Sequence, residues 1–252
     1  MSIFGPVLFT VAVWYFSTGA VLWLARGTRE RVPHRLLGVT VVAAIGFAGA
    51  LISAHHGAAW VPYLAMASAV AIWAWAEFTF LTGLLTGPRR SPCPPDISEG
   101  HRFILAFRTI SRHEYGLLIA LAALALVAYT GQNAHAFAIF TTLWVMRISA
   151  KLVLFNGAPG FSSDMMPSPI LYMTTYFRHD RIGPVFWIAT LTLTATVAMA
   201  ITALMMGWID TDQNTIAIML ISFVGLATFE HWMMVLPWRD SALWNWALNR
   251  QT

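Results

Sequence analysis

Long apolar stretches alternate with short polar connectors along the whole chain. Seven of these stretches are close to the roughly 20 residues that a helix needs to cross a bilayer. They fall at approximately 5–25, 36–55, 60–84, 114–131, 135–156, 184–207 and 214–237. A segment in hydrocarbon must satisfy its own backbone hydrogen bonds, which favours helices. The pattern therefore predicts an all-α fold, a polytopic bundle of about seven transmembrane helices in one integral membrane domain over residues 1–252.

The connectors are of two kinds, and only one kind carries positive charge. The connectors at 55–57, 130–133 and 210–212 are short and contain no Lys or Arg. All 15 Lys and Arg residues lie in the other connectors, in the tail or at the adjoining ends of spans. They are Arg26, Arg29, Arg31, Arg35, Arg89, Arg90, Arg102, Arg108, Arg112, Arg147, Lys151, Arg178, Arg181, Arg239 and Arg250. Because basic connectors are retained in the cytoplasm, we expect the N-terminus outside and the C-terminus inside.

The composition agrees with this class. Hydrophobic residues make up 58% of the chain and charged residues 10%, and the mean hydropathy is +0.65. The net charge of +4 suits anionic lipid headgroups, because the basic residues flank apolar spans. They do not form the independent patch that binds nucleic acid, so we expect no nucleic-acid partner. The single cysteine, Cys93, excludes a disulfide framework.

Proline-rich segments interrupt two of the basic connectors. Prolines at 88, 92, 94 and 95 predict an extended, stiff loop over 87–96. The segment 157–169 is broken in the same way, and the apolar residues after it predict a short helix in the membrane interface over 170–177. A second interfacial helix is predicted for the tail at 242–248.

Ionisable residues within the spans are the candidates for a functional site, because a charge in hydrocarbon costs several kcal/mol unless it is paired or solvated. Seven of them fall at a similar depth in the cytoplasmic half of the membrane. They are Glu77, His113, Glu114, Arg147, Lys151, Glu230 and His231. The catalytic residues, if there are any, are not identified by this pattern.

Three interpretations of this polar intramembrane cluster remain open. In the first, the carboxylates neutralise Arg147 and Lys151, the histidines bridge them, and the network fixes the helices. In the second, Glu77, His113, Glu114, Glu230 and His231 bind iron, manganese or zinc, although no Glu-x-x-His pair of the di-iron type is present. In the third, His231 or His113 is an axial ligand of a tetrapyrrole, or the two cations hold a pigment propionate or an anionic lipid. His55, His56 and His135 at the opposite surface are expected to be solvated rather than ligating.

Several motifs resemble the PuhE family of photosynthetic complex assembly proteins from purple bacteria. They are LTGLLTGPRRSPCPP at 81–95, RHEY at 112–115, LWVMRISAKL at 143–152, FEHW at 229–232 with LP at 236–237, and ALWNWAL at 242–248. The resemblance implies a multi-pass protein of the bacterial inner, intracytoplasmic membrane that is linked to reaction-centre assembly and bacteriochlorophyll levels. The polar motif positions of the family fall on the same seven residues.

One segment departs from the family pattern. The family usually has an acidic run and then a basic, histidine-containing helix, whereas this chain has SSDMMPSP at 162–169 followed by ILYMTT at 170–175. We therefore expect a hydrophobic rather than an electrostatic contact through this loop.

Two function classes follow. We favour an assembly or auxiliary factor for the photosynthetic reaction centre and its bacteriochlorophyll, either transient or as an associated subunit. Its expected partners are reaction-centre or light-harvesting subunits, pigments (bacteriochlorophyll or carotenoid) and anionic lipids. The alternative is a membrane oxidoreductase that acts on a pigment or lipid through iron or another divalent metal held by the Glu/His cluster. Transport is disfavoured because neither inverted repeats nor paired broken helices are visible.

Overall fold

Seven long apolar helices make up most of the protein in the computed structural model, which describes residues 3–26, 28–208, 214–237 and 240–248. They are α1 (Phe4–Ala25), α2 (Val32–Ala54), α3 (Val61–Leu81), α4 (Glu99–Thr130), α5 (His135–Asn156), α6 (Pro184–Met205) and α7 (Thr215–Met233). Each is long and apolar enough to cross a membrane, so the predicted all-α bundle is confirmed. The predicted connector 210–212 and the basic residues Arg239 and Arg250 lie outside the described residues.

The fourth helix differs most from its predicted bounds. It begins at Glu99 instead of 114. Ser98 caps it by accepting a hydrogen bond from the backbone N–H of His101 at 3.4 Å, and Glu99 lies in the first turn, where the helix dipole favours a carboxylate. Arg102 then donates to Glu99 at 2.8 Å. The prediction was wrong here because hydropathy alone does not detect a polar amphipathic start that continues into an apolar span.

The third helix lies at the centre of the bundle. α3 packs against α1, α2, α4 and α5, and more than half of it is buried. Its contact with α2 is close because Gly46 and Gly49 face Ser68, and a Cβ on Gly46 would lie 2.9 Å from the Ser68 carbonyl oxygen. Small residues at such an interface let two helix backbones approach in a membrane.

The connectors without Lys or Arg lie together at one end of the bundle, and the basic connectors lie together at the other end. Asn133, between α4 and α5, donates to the carbonyl oxygens of Ser53 at 2.8 Å and His56 at 3.2 Å, next to the connector between α2 and α3. At the other end, Arg89 donates to the Tyr176 hydroxyl at 2.6 Å, and the Cys93 N–H donates to the Thr175 hydroxyl at 2.8 Å. These two basic connectors are therefore joined by hydrogen bonds.

The segment after the second proline-rich loop is helical, as predicted. A 3₁₀ helix, Ser168–Tyr176, packs on the bundle and buries Ile170, Met173 and Tyr176. Tyr176 also accepts a hydrogen bond from Arg102 at its carbonyl oxygen. The loop at 87–96 contains no helix, in agreement with its prolines.

The last described segment folds back against the first helix. The C-terminal segment, residues 240–248, consists of a 3₁₀ turn (Asp240–Trp244) and a short helix, α8 (Asn245–Leu248). The Trp244 indole donates to the Tyr15 carbonyl oxygen at 3.1 Å, and the Trp246 indole donates to the Tyr15 hydroxyl at 3.0 Å. The tail is therefore packed against α1, which supplies the acceptors that two indole N–H groups require.

Candidate functional site

An apolar cavity of about 540 Å³ lies within the bundle. Its wall is formed by α1, α3, α4, α5 and α7, by the connector between α5 and α6, and by the C-terminal segment. Leu, Met, Phe and Trp side chains cover most of this wall. The volume falls within the roughly 300–1,000 Å³ of pockets that bind small molecules. We call this space the bundle cavity.

Two ion pairs form the charged part of the cavity wall. Arg147 Nη2 lies 3.1 Å from Glu77 Oε2, and Lys151 Nζ contacts Glu114 Oε1. Both cations come from α5, where their i, i+4 spacing places them on one face. α5 therefore pairs with α3 through Arg147 and with α4 through Lys151, and all four side chains line the bundle cavity.

Indole N–H groups donate to two further carboxylate oxygens, whereas Glu77 Oε1 is buried and accepts no hydrogen bond from the described residues. Trp14 of α1 donates to Glu230 Oε1 at 2.8 Å, which joins the first span to the last. Trp144 donates to Glu114 Oε2 at 3.4 Å. Each of the three carboxylates thus accepts at least one hydrogen bond. Together with their donors, these carboxylates join α1, α3, α4, α5 and α7.

The two candidate histidines lie outside the cavity wall. His231 Nδ1 donates to the Ala227 carbonyl oxygen at 2.7 Å, and its Nε2 accepts from the Ser149 hydroxyl at 2.9 Å. His113 is fully buried, with its ring 4.5 Å from that of Phe80. Neither ring nitrogen of His113 has a hydrogen-bond partner among the described residues. Five of the seven predicted residues therefore line the bundle cavity, and the two histidines lie behind its wall.

This geometry bears on the metal hypothesis. Within the described part of the chain, no three His, Cys, Asp or Glu side chains come together as a metal site would require. Both nitrogens of His231 are already hydrogen-bonded, so ligation through this ring would break one of those bonds. The metal-dependent oxidoreductase stays a prediction, and metal analysis of the purified chain is its direct measurement.

Two comparisons place the chain among known proteins. The family described as "Protein of unknown function (DUF3623)" matches residues 1–252. The chain belongs to the DUF3623 family. A relative from Rhodobacter capsulatus, named "Uncharacterized 30.4 kDa protein in puhA 5'region", is 36% identical over a match that covers 96% of this chain and 89% of the relative. No solved structure matches the chain.

The histidines at the opposite end of this DUF3623 chain bind to their own helix. His55 Nδ1 lies 2.9 Å from the Leu51 carbonyl oxygen, and His56 Nδ1 lies 2.8 Å from that of Ile52. Both side chains are exposed at the end of α2. Their contacts are those of helix-terminal residues and do not converge on a shared site.

Sequence reasoning missed the two tryptophans of the DUF3623 site, Trp14 and Trp144. Trp14 lies in the middle of α1, away from the membrane interface where tryptophan is common. A buried indole N–H requires an acceptor, so a mid-span tryptophan was the available signal. The sequence did not indicate that Glu230 supplies that acceptor.

Proposed function

We propose that this DUF3623 protein is an assembly factor for the photosynthetic reaction centre and its bacteriochlorophyll, and that it acts in the bacterial inner membrane. The observation that supports this proposal most is the relative, 36% identical over nearly the whole chain, whose name places it in the region 5' of puhA. Because puhA is a photosynthesis gene, this location fits the PuhE resemblance carried by the motifs at 81–95, 143–152 and 229–232.

The architecture supports a membrane role with one interaction face. Seven apolar helices suit a multi-pass protein, and its basic end exposes Arg29, Arg31 and Arg90 in connectors and Arg108 and Arg112 on α4. We propose that this face is cytoplasmic, with the N-terminus outside. There it would contact anionic lipids and the soluble parts of reaction-centre or light-harvesting subunits.

An in-frame deletion of the gene tests the assembly proposal. We expect a lower content of reaction centres and of extractable bacteriochlorophyll, measured by absorption of membranes and of organic extracts. A plasmid copy of the wild-type gene should restore both. Unchanged reaction-centre and bacteriochlorophyll content in the deletion strain would rule the proposal out.

A time course separates a transient factor from a permanent subunit. An assembly factor should slow the appearance of reaction centres after a shift to photosynthetic growth, while complexes that already exist decay at the normal rate. A permanent subunit should instead co-purify with the mature complex in fixed stoichiometry. Affinity purification of the tagged reaction centre followed by quantitative mass spectrometry measures this ratio.

A further inference from the structure

The bundle cavity is suited to an apolar occupant rather than to water. Three hydroxyl groups in its wall are turned back to their own helices, since Ser17 donates to the Trp14 carbonyl oxygen, Thr109 to that of Ala106 and Thr142 to that of Ala138. Buried water usually makes about three hydrogen bonds, and most of this wall offers none. Apolar atoms would instead regain the dispersion contacts that an unfilled wall forgoes.

Arg147 is the most accessible charged group of the two ion pairs. Its side chain is 38% exposed, whereas those of Lys151 and Glu114 are 17% and 6% exposed. A guanidinium group carries five N–H donors, and Arg147 uses one towards Glu77 through Nη2. Its Nε is buried, and no atom of the described residues accepts from it.

The position of Arg147 in an otherwise apolar wall favours a ligand with a polar head group and an apolar body. A guanidinium in an apolar site binds a carboxylate, a phosphate or an ester carbonyl through N–H groups of its planar fork. The ion pair between Lys151 and Glu114 is more buried, and its two charges neutralise each other. We therefore expect it to form part of the wall and not to bind the head group of a ligand. The polar end of an occupant is therefore expected next to Arg147, and its apolar body against the surrounding helices.

We propose that the bundle cavity binds one lipid-like molecule, an apolar chain or ring system whose oxygen-bearing head accepts hydrogen bonds from Arg147. The source is either a membrane phospholipid or a phosphorus-free lipid with a carbonyl or carboxylate head. Both share the chemistry that the wall recognises. The binding is independent of the role in photosynthesis proposed above, and its test does not require that role.

Analysis of bound molecules in the purified full-length protein tests this proposal. The chain is extracted in parallel with a mild non-ionic detergent and with a membrane-solubilising polymer, then studied by native mass spectrometry and by organic extraction. We expect a single additional mass per chain. Phosphorus in the extract identifies a phospholipid, and a phosphorus-free carbonyl or carboxylate compound identifies the other source.

Variants locate the molecule in the cavity. Ala74→Phe on α3 and Ala106→Phe on α4 each place a ring in the cavity and should displace the ligand. The double variant Glu77→Gln with Arg147→Gln removes the head contact without leaving a lone buried charge, and should lower retention by about tenfold. Arg90→Gln changes an exposed connector arginine outside the cavity. This variant should retain as much bound ligand as the wild type.

Three results would overturn the proposal. The first is a wild-type protein that carries no additional mass in either preparation. The second is a mixture of bulk membrane lipids in the same proportions as the membrane. The third is equal retention by the wild type and by a cavity-filling variant that elutes as the same monodisperse species and melts at a similar temperature.

Discussion

At the residue scale, the pair between Lys151 and Glu114 has the largest expected effect on stability. Both side chains are largely buried at the level of the spans. Removing one member of such a pair costs about 3–5 kcal/mol, because the other charge stays buried without its partner. Replacing both members with apolar residues of similar volume costs much less and is sometimes stabilising.

We therefore expect Glu114→Gln to destabilise the protein by about 3–5 kcal/mol. The double variant Glu114→Leu with Lys151→Met should unfold close to the wild type. Thermal unfolding in detergent, followed by tryptophan fluorescence, measures both. Glu30→Gln, at an exposed glutamate, is the matched control, and a Glu114→Gln protein as stable as this control would contradict the expectation.

The predicted depth of each residue in the membrane identified part of the site. The direction of each side chain on its helix explains why two residues at the same depth lie elsewhere. Glu77, Glu114, Arg147, Lys151 and Glu230 line one cavity, as their common depth suggested. His113 and His231 share that depth. Each follows or precedes a lining glutamate by one residue, and neighbours on a helix point about 100° apart, so they face other helices. Rotation of each helix depends on packing against the others, which hydropathy does not report.

At the element scale, the C-terminal segment depends on a glycine in α1. A Cβ built on Gly19 would overlap the Trp246 ring, with Trp246 Cε2 at 3.0 Å. Trp244, in the same segment, is buried, and the centroid of its ring lies 5.4 Å from that of Trp14. Because Trp244 also lines the bundle cavity, this small residue on α1 allows the tail to complete the wall.

We expect Gly19→Leu to displace the C-terminal segment while the seven spans remain inserted. The segment should become sensitive to protease in detergent, and its tryptophans should become accessible to a soluble quencher. Gly38→Leu on α2 is the control, since a Cβ there meets nothing within 4 Å. Equal protease resistance in the two variants would show that the segment does not need the space at Gly19.

The elements differ in how far the sequence determined them. The ends of α1, α2, α5 and α6 lie within a few residues of the predicted spans, because an apolar stretch of this length has few other ways to fold in a membrane. The 3₁₀ helix at Ser168–Tyr176 and the C-terminal segment were predicted as interfacial helices, and both are helical. The burial of Ile170, Met173 and Trp244 against the bundle is a property of tertiary packing that the sequence pattern does not report.

At the scale of the whole molecule, the connectors sort into two ends with different chemistry. One end contains Cys93, the single cysteine of the sequence, in the loop that binds Thr175. The other end contains the exposed Gly57, whose Cβ position is open. Thiol chemistry can therefore report the orientation of the chain with few substitutions.

We expect an impermeant maleimide to label Gly57→Cys, in a Cys93→Ser background, on intact spheroplasts. Gly100→Cys in the same background, at the basic end with an open Cβ position, should react only in inverted membrane vesicles. Native Cys93 should behave like Gly100→Cys, although more slowly because it is half-buried. Labelling of both ends from the same side would contradict the proposed topology.

The hydrogen bond from Trp14 to Glu230 links residues that are 216 positions apart. At about 5–20 residues per second, a ribosome needs roughly 10 to 40 s to synthesise the interval between them. During that time α1 is already in the bilayer, while α7 and the tail have not been made. A prematurely released chain would keep its early spans but lack the carboxylate that Trp14 binds and the aromatic residues that pack at Gly19. The cavity wall is thus intact only after α7 and the C-terminal segment have been synthesised, so its closure is among the late steps of folding.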